Sequence, residues 1–187
     1  MSFPGIPSLD AAVMAFIQTH FHNTVTDTVF PIITSLGEAG IGWIVLSLVL
    51  LCFKKTRRTG GLVLIAMTVT LLFGELTLKN IICRLRPCNV FTDFPMLIAR
   101  PTSYSFPSGH TSSSFAAALI LTLRHKKVGW LAYIPAVLIA FSRIFLFVPS
   151  PTDVLAGILL GTLAALLTYF AAKAIQKRQA EKRTAQI

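Results

Sequence analysis

FPSGHTSSSFAAALILTL, residues 106–123, runs from a polar turn straight into an uncharged helix. Pro107, Ser108 and Gly109 punctuate the backbone. Ser108 is placed to cap the helix, and Gly109 lets a ligand come close to the main chain. From Phe115 the residues are mostly apolar, and no charge appears before Arg124. A helix without a charged face belongs in a core or in lipid. Its first turn, Thr111 to Ser114, is polar, which suits a wet site at the helix start. The free amides and the dipole there make an anion site, and His110 is a proton donor near neutral pH. A plain capping turn with an interfacial histidine is the bland alternative.

The remainder of the chain decides for lipid. Of 187 residues, 54% are apolar and 13% charged, with a mean hydropathy of +0.72, outside the ordinary soluble range. Apolar segments recur at 23–36, 41–53, 62–82, 109–123, 128–148 and 152–172. The expected fold is an all-α membrane protein, a bundle of six transmembrane helices over residues 23–172. Residues 1–22 are expected as an N-terminal interfacial segment and 173–187 as a basic tail. Ser8 to Phe21 reads as an amphipathic helix too short to cross a membrane. Leu9, Val13, Phe16, Ile17 and Phe21 share one face, with Asp10, Gln18 and Thr19 elsewhere. No signal peptide is expected, since a basic leader is lacking and Pro4 and Pro7 come early. The first two spans read as a hairpin turning at Gly37, Gly40 and Gly42. Residues 88–106 form a long, proline-punctuated loop, a candidate lid. Gly157 and Gly161 have the spacing of closely packed membrane helices.

Charge orients the spans. Lys54, Lys55, Arg57, Arg58, Arg124, Lys126, Lys127, Lys173, Lys177, Arg178, Lys182 and Arg183 are twelve of the seventeen basic residues, and six spans place them on one side. The positive-inside rule makes that side cytoplasmic. Both termini are then cytoplasmic, in a multi-pass protein of the plasma membrane. The other five, Lys79, Arg84, Arg86, Arg100 and Arg143, fall at the outer ends. Snorkelling to headgroups accounts for one or two of them, and an anionic ligand accounts for the set. Nucleic acid is not an expected partner, because no groove-reading or aromatic pattern accompanies the charge. Cys52, Cys83 and Cys88 have neither zinc nor disulfide-framework spacing, so free thiols are expected. His20 and His22 alone are too few ligands for a metal.

Three segments carry chemistry. Lys79 and Arg86, seven apart, share a face if they lie on one helix, and Glu75 is placed to pair with Lys79. Arg86 offers a bidentate fork for phosphate and Lys79 a point charge. Arg143 lies several residues inside a span, which is costly unless it faces a cavity or a partner. Asp153 fits a capping box starting at Ser150, and it also suits orienting a base or compensating Arg143. The short span from Gly109 is about 22 Å long, less than the ~30 Å hydrocarbon core. Its start therefore sits below the membrane boundary, at the level of a lipid phosphate.

In order, Lys79-x6-Arg86-Pro87, Pro107-Ser108-Gly109-His110, and Ser142-Arg143 followed by Asp153 resemble the type 2 phosphatidic acid phosphatase superfamily over roughly residues 24–172. The resemblance implies a lipid phosphatase with its site on the outer face, active without metal or other cofactor. By the same resemblance Lys79, Arg86 and Arg143 bind phosphate oxygens, Ser108 and Gly109 complete the cradle, and His110 protonates the leaving group. The family's third motif reads Ser-Arg-x5-His-x3-Asp, and that histidine is the nucleophile. Here the position is Pro149, while Asp153, which would orient it, is present. Proline has no nucleophile to offer. Three readings stay open. The site binds lipid phosphates with little or no turnover; another group attacks (Ser150, Asp153, His110 or a water); or the sequence is an altered form of an active parent. A non-catalytic lipid-phosphate binder is the alternative function. An anion channel is disfavoured, because the inner halves of the spans carry no charge to line a path.

Overall fold

In the computed structural model residue 3 and residues 5–184 are described; residues 1, 2 and 4 of the N-terminal segment and 185–187 of the tail lie outside them. The described residues are helical or irregular, with no strand. The α-helices are α1 (Ser8–His20), α2 (Thr24–Leu36), α3 (Ile41–Cys52), α4 (Arg57–Thr70), α5 (Lys79–Ile82), α6 (Pro87–Val90), α7 (Gly109–Arg124), α8 (Tyr133–Phe145) and α9 (Pro151–Thr184).

The stretch beginning at Gly109 is the centre of the fold. Its small residues Ala116, Ala117 and Ala118 are fully buried, so α4, α8 and α9 approach α7 closely. The closest crossing is with α9. A Cβ at Gly161 would collide with the Ser112 carbonyl, and one at Gly157 would meet the Ser108 carbonyl at 2.7 Å. Close backbone approach is what small residues provide between membrane helices, where lipid supplies no hydrophobic drive for association. On the opposite face of α9, Leu155, Leu159, Leu163 and Leu167 are exposed in a stripe.

Two ends of the bundle follow from the contacts. At one end the Ser108 amide donates to the Asp153 carbonyl (3.0 Å) and Arg143 donates to Thr34 (2.8 Å). At the other, Thr59 at the start of α4 bonds His125 just after α7 (3.1 Å). The basic turns at 54–58 and 124–127 gather at this second end. The tail continues α9 as one helix as far as Thr184, beyond the expected limit at residue 172.

Three expectations need correction. Residues 23–36 and 41–53 do not form a hairpin. The segments Thr24–Leu36 and Glu38–Cys52 follow one path bent by 45°. The bend comes from a 3-10 turn, Glu38–Gly40, in which Gly40 has φ +70°, a left-handed conformation suited to glycine. Counted as one span with Arg57–Val90 and Pro151–Thr184, this bent pair brings the runs long and apolar enough to cross a membrane to three among the described residues. The helices α7 and α8 are shorter.

The helix α1 exists but turns a different face inward. Asp10, Met14, Ile17 and Gln18 are buried, while Leu9 and Phe16 are exposed. Polar partners decide this orientation: Gln18 donates to the Phe145 carbonyl (2.9 Å), and Asp10 binds Arg84 and Thr152. The helix α1 thus docks at the site end, where α9 begins.

The run carrying Lys79 is not a uniform α-helix. Residues Leu71–Leu78 are π-helical, and the helix stops at Ile82, where Cys83 turns left-handed with φ +50°. Lys79 and Arg86 therefore sit on either side of a break rather than on one helical face. The 88–106 segment, the candidate lid, is held at several points. Arg100 donates to the carbonyls of Cys88, Thr92 and Phe94, and Phe94 stacks on buried Phe147 at 4.1 Å.

Candidate active site

Lys79, Arg86 and Arg143 come from three separate places and line one cavity of about 1100 Å³. Ser108, Gly109 and His110 at the start of α7 line it as well. The π-helical stretch delivers Lys79, whose Nζ lies 2.6 Å from both carboxylate oxygens of Glu75. Such widened turns recur at functional sites because they shift the register of the side chains that follow. Arg86 stands on extended backbone before Pro87 (φ −73°, ψ 145°), as a residue preceding proline should. Its Nε donates to the Ser103 carbonyl at 2.7 Å and its Nη2 to the Ser103 hydroxyl at 2.9 Å. Arg143, in the last turn of α8, is steadied only by Nη1 donating to Thr34, as far as the described residues go. Three buried cations held in this way keep donors free for an anion.

The turn at Ser108 agrees with its expected place but not with its expected bond. Ser108 is the N-cap residue of α7, yet its hydroxyl pairs with the Thr111 hydroxyl (2.9 Å) and makes no capping bond. The first amides of α7 thus receive no side-chain acceptor, which strengthens the anion site. The Phe106–Pro107 bond is cis. The His110 ring makes no hydrogen bond among the described residues and packs by Gly37, where a Cβ would stand 3.1 Å from its Cδ2. Glycine at 37 is what allows the bend after α2 to close against the imidazole.

Two of the five cations expected at the outer ends are held by other contacts. Arg84 donates to Asp10 (2.8 Å), to Asp153 (2.7 Å) and to the Thr152 hydroxyl (2.7 Å). Arg100 touches the cavity wall, but its guanidinium is spent on loop carbonyls. Contacts within the protein occupy these two, and the other three line the cavity.

Asp153 does not line the cavity. One oxygen takes Arg84; the other accepts from the Ser105 hydroxyl (2.5 Å) and the Ser150 amide (2.8 Å). The last bond is the reciprocal half of the expected capping box. Pro149 is buried and is also absent from the cavity lining. Among the other nucleophiles considered, Ser150 faces a second, smaller pocket beside Pro7 and Arg84. All three cysteines are free. Cys88 is buried, and Cys52 and Cys83 are exposed. No group of three or more metal-ligating side chains occurs among the described residues.

Sequence reasoning missed Asp10 and Glu75's role at Gly109. The signal for Asp10 was present: a lone carboxylate in an apolar helix, with Arg84 unexplained elsewhere. The apolar part of the cavity wall, including Pro31, Ile44, Leu64, Met67 and Leu71, was also unforeseen. It is assembled from α2 (Pro31), α3 (Ile44) and α4 (Leu64, Met67), which are far apart in the sequence.

Comparison with known proteins identifies the family. Residues 59–177 match the model of the PAP2 superfamily. The chain is 38% identical over 127 residues to the undecaprenyl-diphosphatase of Sulfolobus acidocaldarius, covering 67% of this chain and 61% of that protein's length. It is 32% identical over 145 residues to the bacitracin transport permease protein BcrC of Bacillus licheniformis, covering 76% and 71% of the two chains. The crystal structure of a transmembrane PAP2-type phosphatidylglycerolphosphate phosphatase from Bacillus subtilis superposes with a TM-score of 0.72 at 30% identity, covering 90% of this chain and 86% of that one. The family match spans more than half of the chain and includes all three cradle cations, so this protein belongs to the PAP2 superfamily.

Proposed function

We propose that this protein holds the phosphate or pyrophosphate of a membrane lipid, and that its turnover by the family's covalent route is lost or very slow. The observation that carries the reading is the convergence of Lys79, Arg86 and Arg143 with the start of α7 on one cavity that also has an apolar wall. Cations and amides suit the phosphate, and the apolar wall from α2, α3 and α4 suits lipid chains. The relatives' names, an undecaprenyl-diphosphatase and a phosphatidylglycerolphosphate phosphatase, point to the same ligand class. Lys79, Arg86, Ser108, Gly109 and Arg143 are the phosphate-binding residues, and His110 is the group able to protonate a leaving oxygen. Pro149 removes the nucleophile, and Asp153 has been absorbed into the Arg84 network, which supports weak turnover.

The protein is a multi-pass plasma-membrane protein with its site toward the outside or periplasm. The bent pair counts as one crossing, giving five, with α1 outside and the basic tail in the cytoplasm. An epitope at each terminus tests this. Only the N-terminal one should be reachable on intact cells, and reaching both or neither refutes five crossings.

The function is tested by phosphate release from phosphatidic acid, phosphatidylglycerophosphate, diacylglycerol pyrophosphate and undecaprenyl diphosphate, with the wild type beside Pro149→His. Release by the variant alone supports a dead site with an intact cradle. Equal release by both contradicts the importance of position 149.

A further inference from the structure

The cradle already contains an anion. Both Glu75 oxygens lie 2.6 Å from Lys79 Nζ, and the carboxylate stands so close to the start of α7 that a Cβ at Gly109 would collide with Glu75 Oε1. The side chain is about one third exposed and lines the cavity. A carboxylate therefore sits at the cation and helix terminus that an incoming phosphate would use. A structural ion pair buried away from the ligand would not need the glycine at 109.

We propose that Glu75 determines the site's specificity: it accepts a phosphate that still carries a proton and rejects a tetrahedral anion that has none. This rests on the phosphate-binding reading above. An ionised carboxylate is acceptor-only, as are the oxygens of a fully ionised ligand. Facing each other they repel, and neither has a donor to offer. A monoprotonated phosphate supplies the missing hydrogen and forms an O–H···O⁻ bond, one of the strong charge-assisted kind. Lys79, Arg86 and Arg143 still hold its other oxygens. Discrimination of this sort comes from an element that is repulsive to the wrong ligand.

The other charged or titratable groups on this cavity are Lys79 on the same helical run, Arg86 beyond its break, Arg143 from α8, His110 from α7, Glu38 from the turn after α2, and Arg100 from the loop. His110 carries the one imidazole among them, so the test separates the protein's own groups from the proton of the ligand. Sulfate has the shape of phosphate but stays fully ionised between pH 5 and 8, whereas a phosphate monoester loses its second proton near pH ~6. Any pH dependence of sulfate binding thus reports the protein's own groups and not a proton on the ligand.

The experiment is calorimetric binding of a soluble phosphate monoester, glycerol 3-phosphate, and of sulfate to the detergent-purified full chain, at about pH 5.5 and about pH 7.5. The wild type should favour phosphate by about tenfold or more. The ratio should be larger at the lower pH once the sulfate trend is subtracted. Glu75→Gln, whose amide can donate to either anion, should narrow the ratio to about threefold or less. Glu38→Gln removes a charge from the same cavity without touching Lys79, and should leave the ratio as in wild type. Equal wild-type affinity for the two anions overturns the proposal, as does an unchanged ratio in Glu75→Gln. So does a Glu38→Gln variant that narrows the ratio as much, since net charge alone would then be responsible. If Glu75→Gln does not fold, the wild-type ratio and its pH trend decide. Phosphate binding that Arg143→Ala abolishes but that shows no selectivity refutes this inference alone. Absence of phosphate binding in the wild type, unaltered by Arg143→Ala, overturns the phosphate site with it.

Discussion

Asp10→Ala should unseat α1 and destabilise the whole site end of the bundle. Asp10 is fully buried, and it accepts from Arg84 Nη2 (2.8 Å), from the Thr152 amide (2.9 Å) and from the Thr152 hydroxyl (2.6 Å). Truncation leaves the Thr152 amide without its partner and half of the Arg84 fork empty. Removing one partner of a buried ion pair costs about 3–5 kcal/mol. Arg84 is one quarter exposed and keeps Asp153, so the lower limit, about 3 kcal/mol, is the appropriate figure. For a chain of this length that is a fall in Tm of about 6–12 °C. Thermal unfolding in detergent measures it, and a double-mutant cycle with Arg84→Ala separates the pair from general damage. The cycle should give a coupling of at least about 1 kcal/mol. A Tm change below about 2 °C, or strictly additive single mutants, would refute the seating of α1 on Arg84 and Thr152.

Two further outcomes follow from the geometry. Arg143→Ala should weaken phosphate binding by about ten- to a hundredfold, the worth of a charge-assisted bond, whereas Arg100→Ala should change it by less than about twofold, because that guanidinium is committed to loop carbonyls; titration with inorganic phosphate compares them. Gly161→Leu should lower Tm by several degrees or prevent folding, since its side chain would enter the Ser112 and Ala116 backbone and overpacking costs about 1–3 kcal/mol or more; Ala156→Leu, half-buried on the same helix, should cost much less in the same melt.

The sequence carried the helical class and the cradle because both rest on local signals. An apolar run without charge reads as a span wherever it packs, and Lys79, Arg86, Ser108, Gly109, His110 and Arg143 stand at fixed offsets within short motifs. What it did not carry depends on pairing between distant residues. The sharing of Arg84 between Asp10 and Asp153 joins positions 74 and 69 residues apart along the chain. The hairpin reading of 23–53 failed for a related reason. Gly37, Gly40 and Gly42 announce a change of direction but not its angle, and a bend of 45° and a full reversal use the same residues. Likewise the break at Cys83 gives no composition signal, since Pro87 four residues later already suggests an ending. Glu75 was legible as a partner for Lys79; its position against Gly109 became visible only once the π-helical turn was placed.

The central claim is that the phosphate is held but not transferred to the protein. The most direct test is to incubate wild type and Pro149→His with undecaprenyl diphosphate and phosphatidic acid. The reaction is quenched under conditions that preserve phosphohistidine, and covalent phosphate on the chain is then located by mass spectrometry. The account predicts lipid that co-purifies with the wild type without any covalent phosphate, and a phosphohistidine at position 149 of the variant, where Asp153 lies one helical turn away. Covalent phosphate on the wild-type chain, at His110, Ser150 or elsewhere, would contradict it.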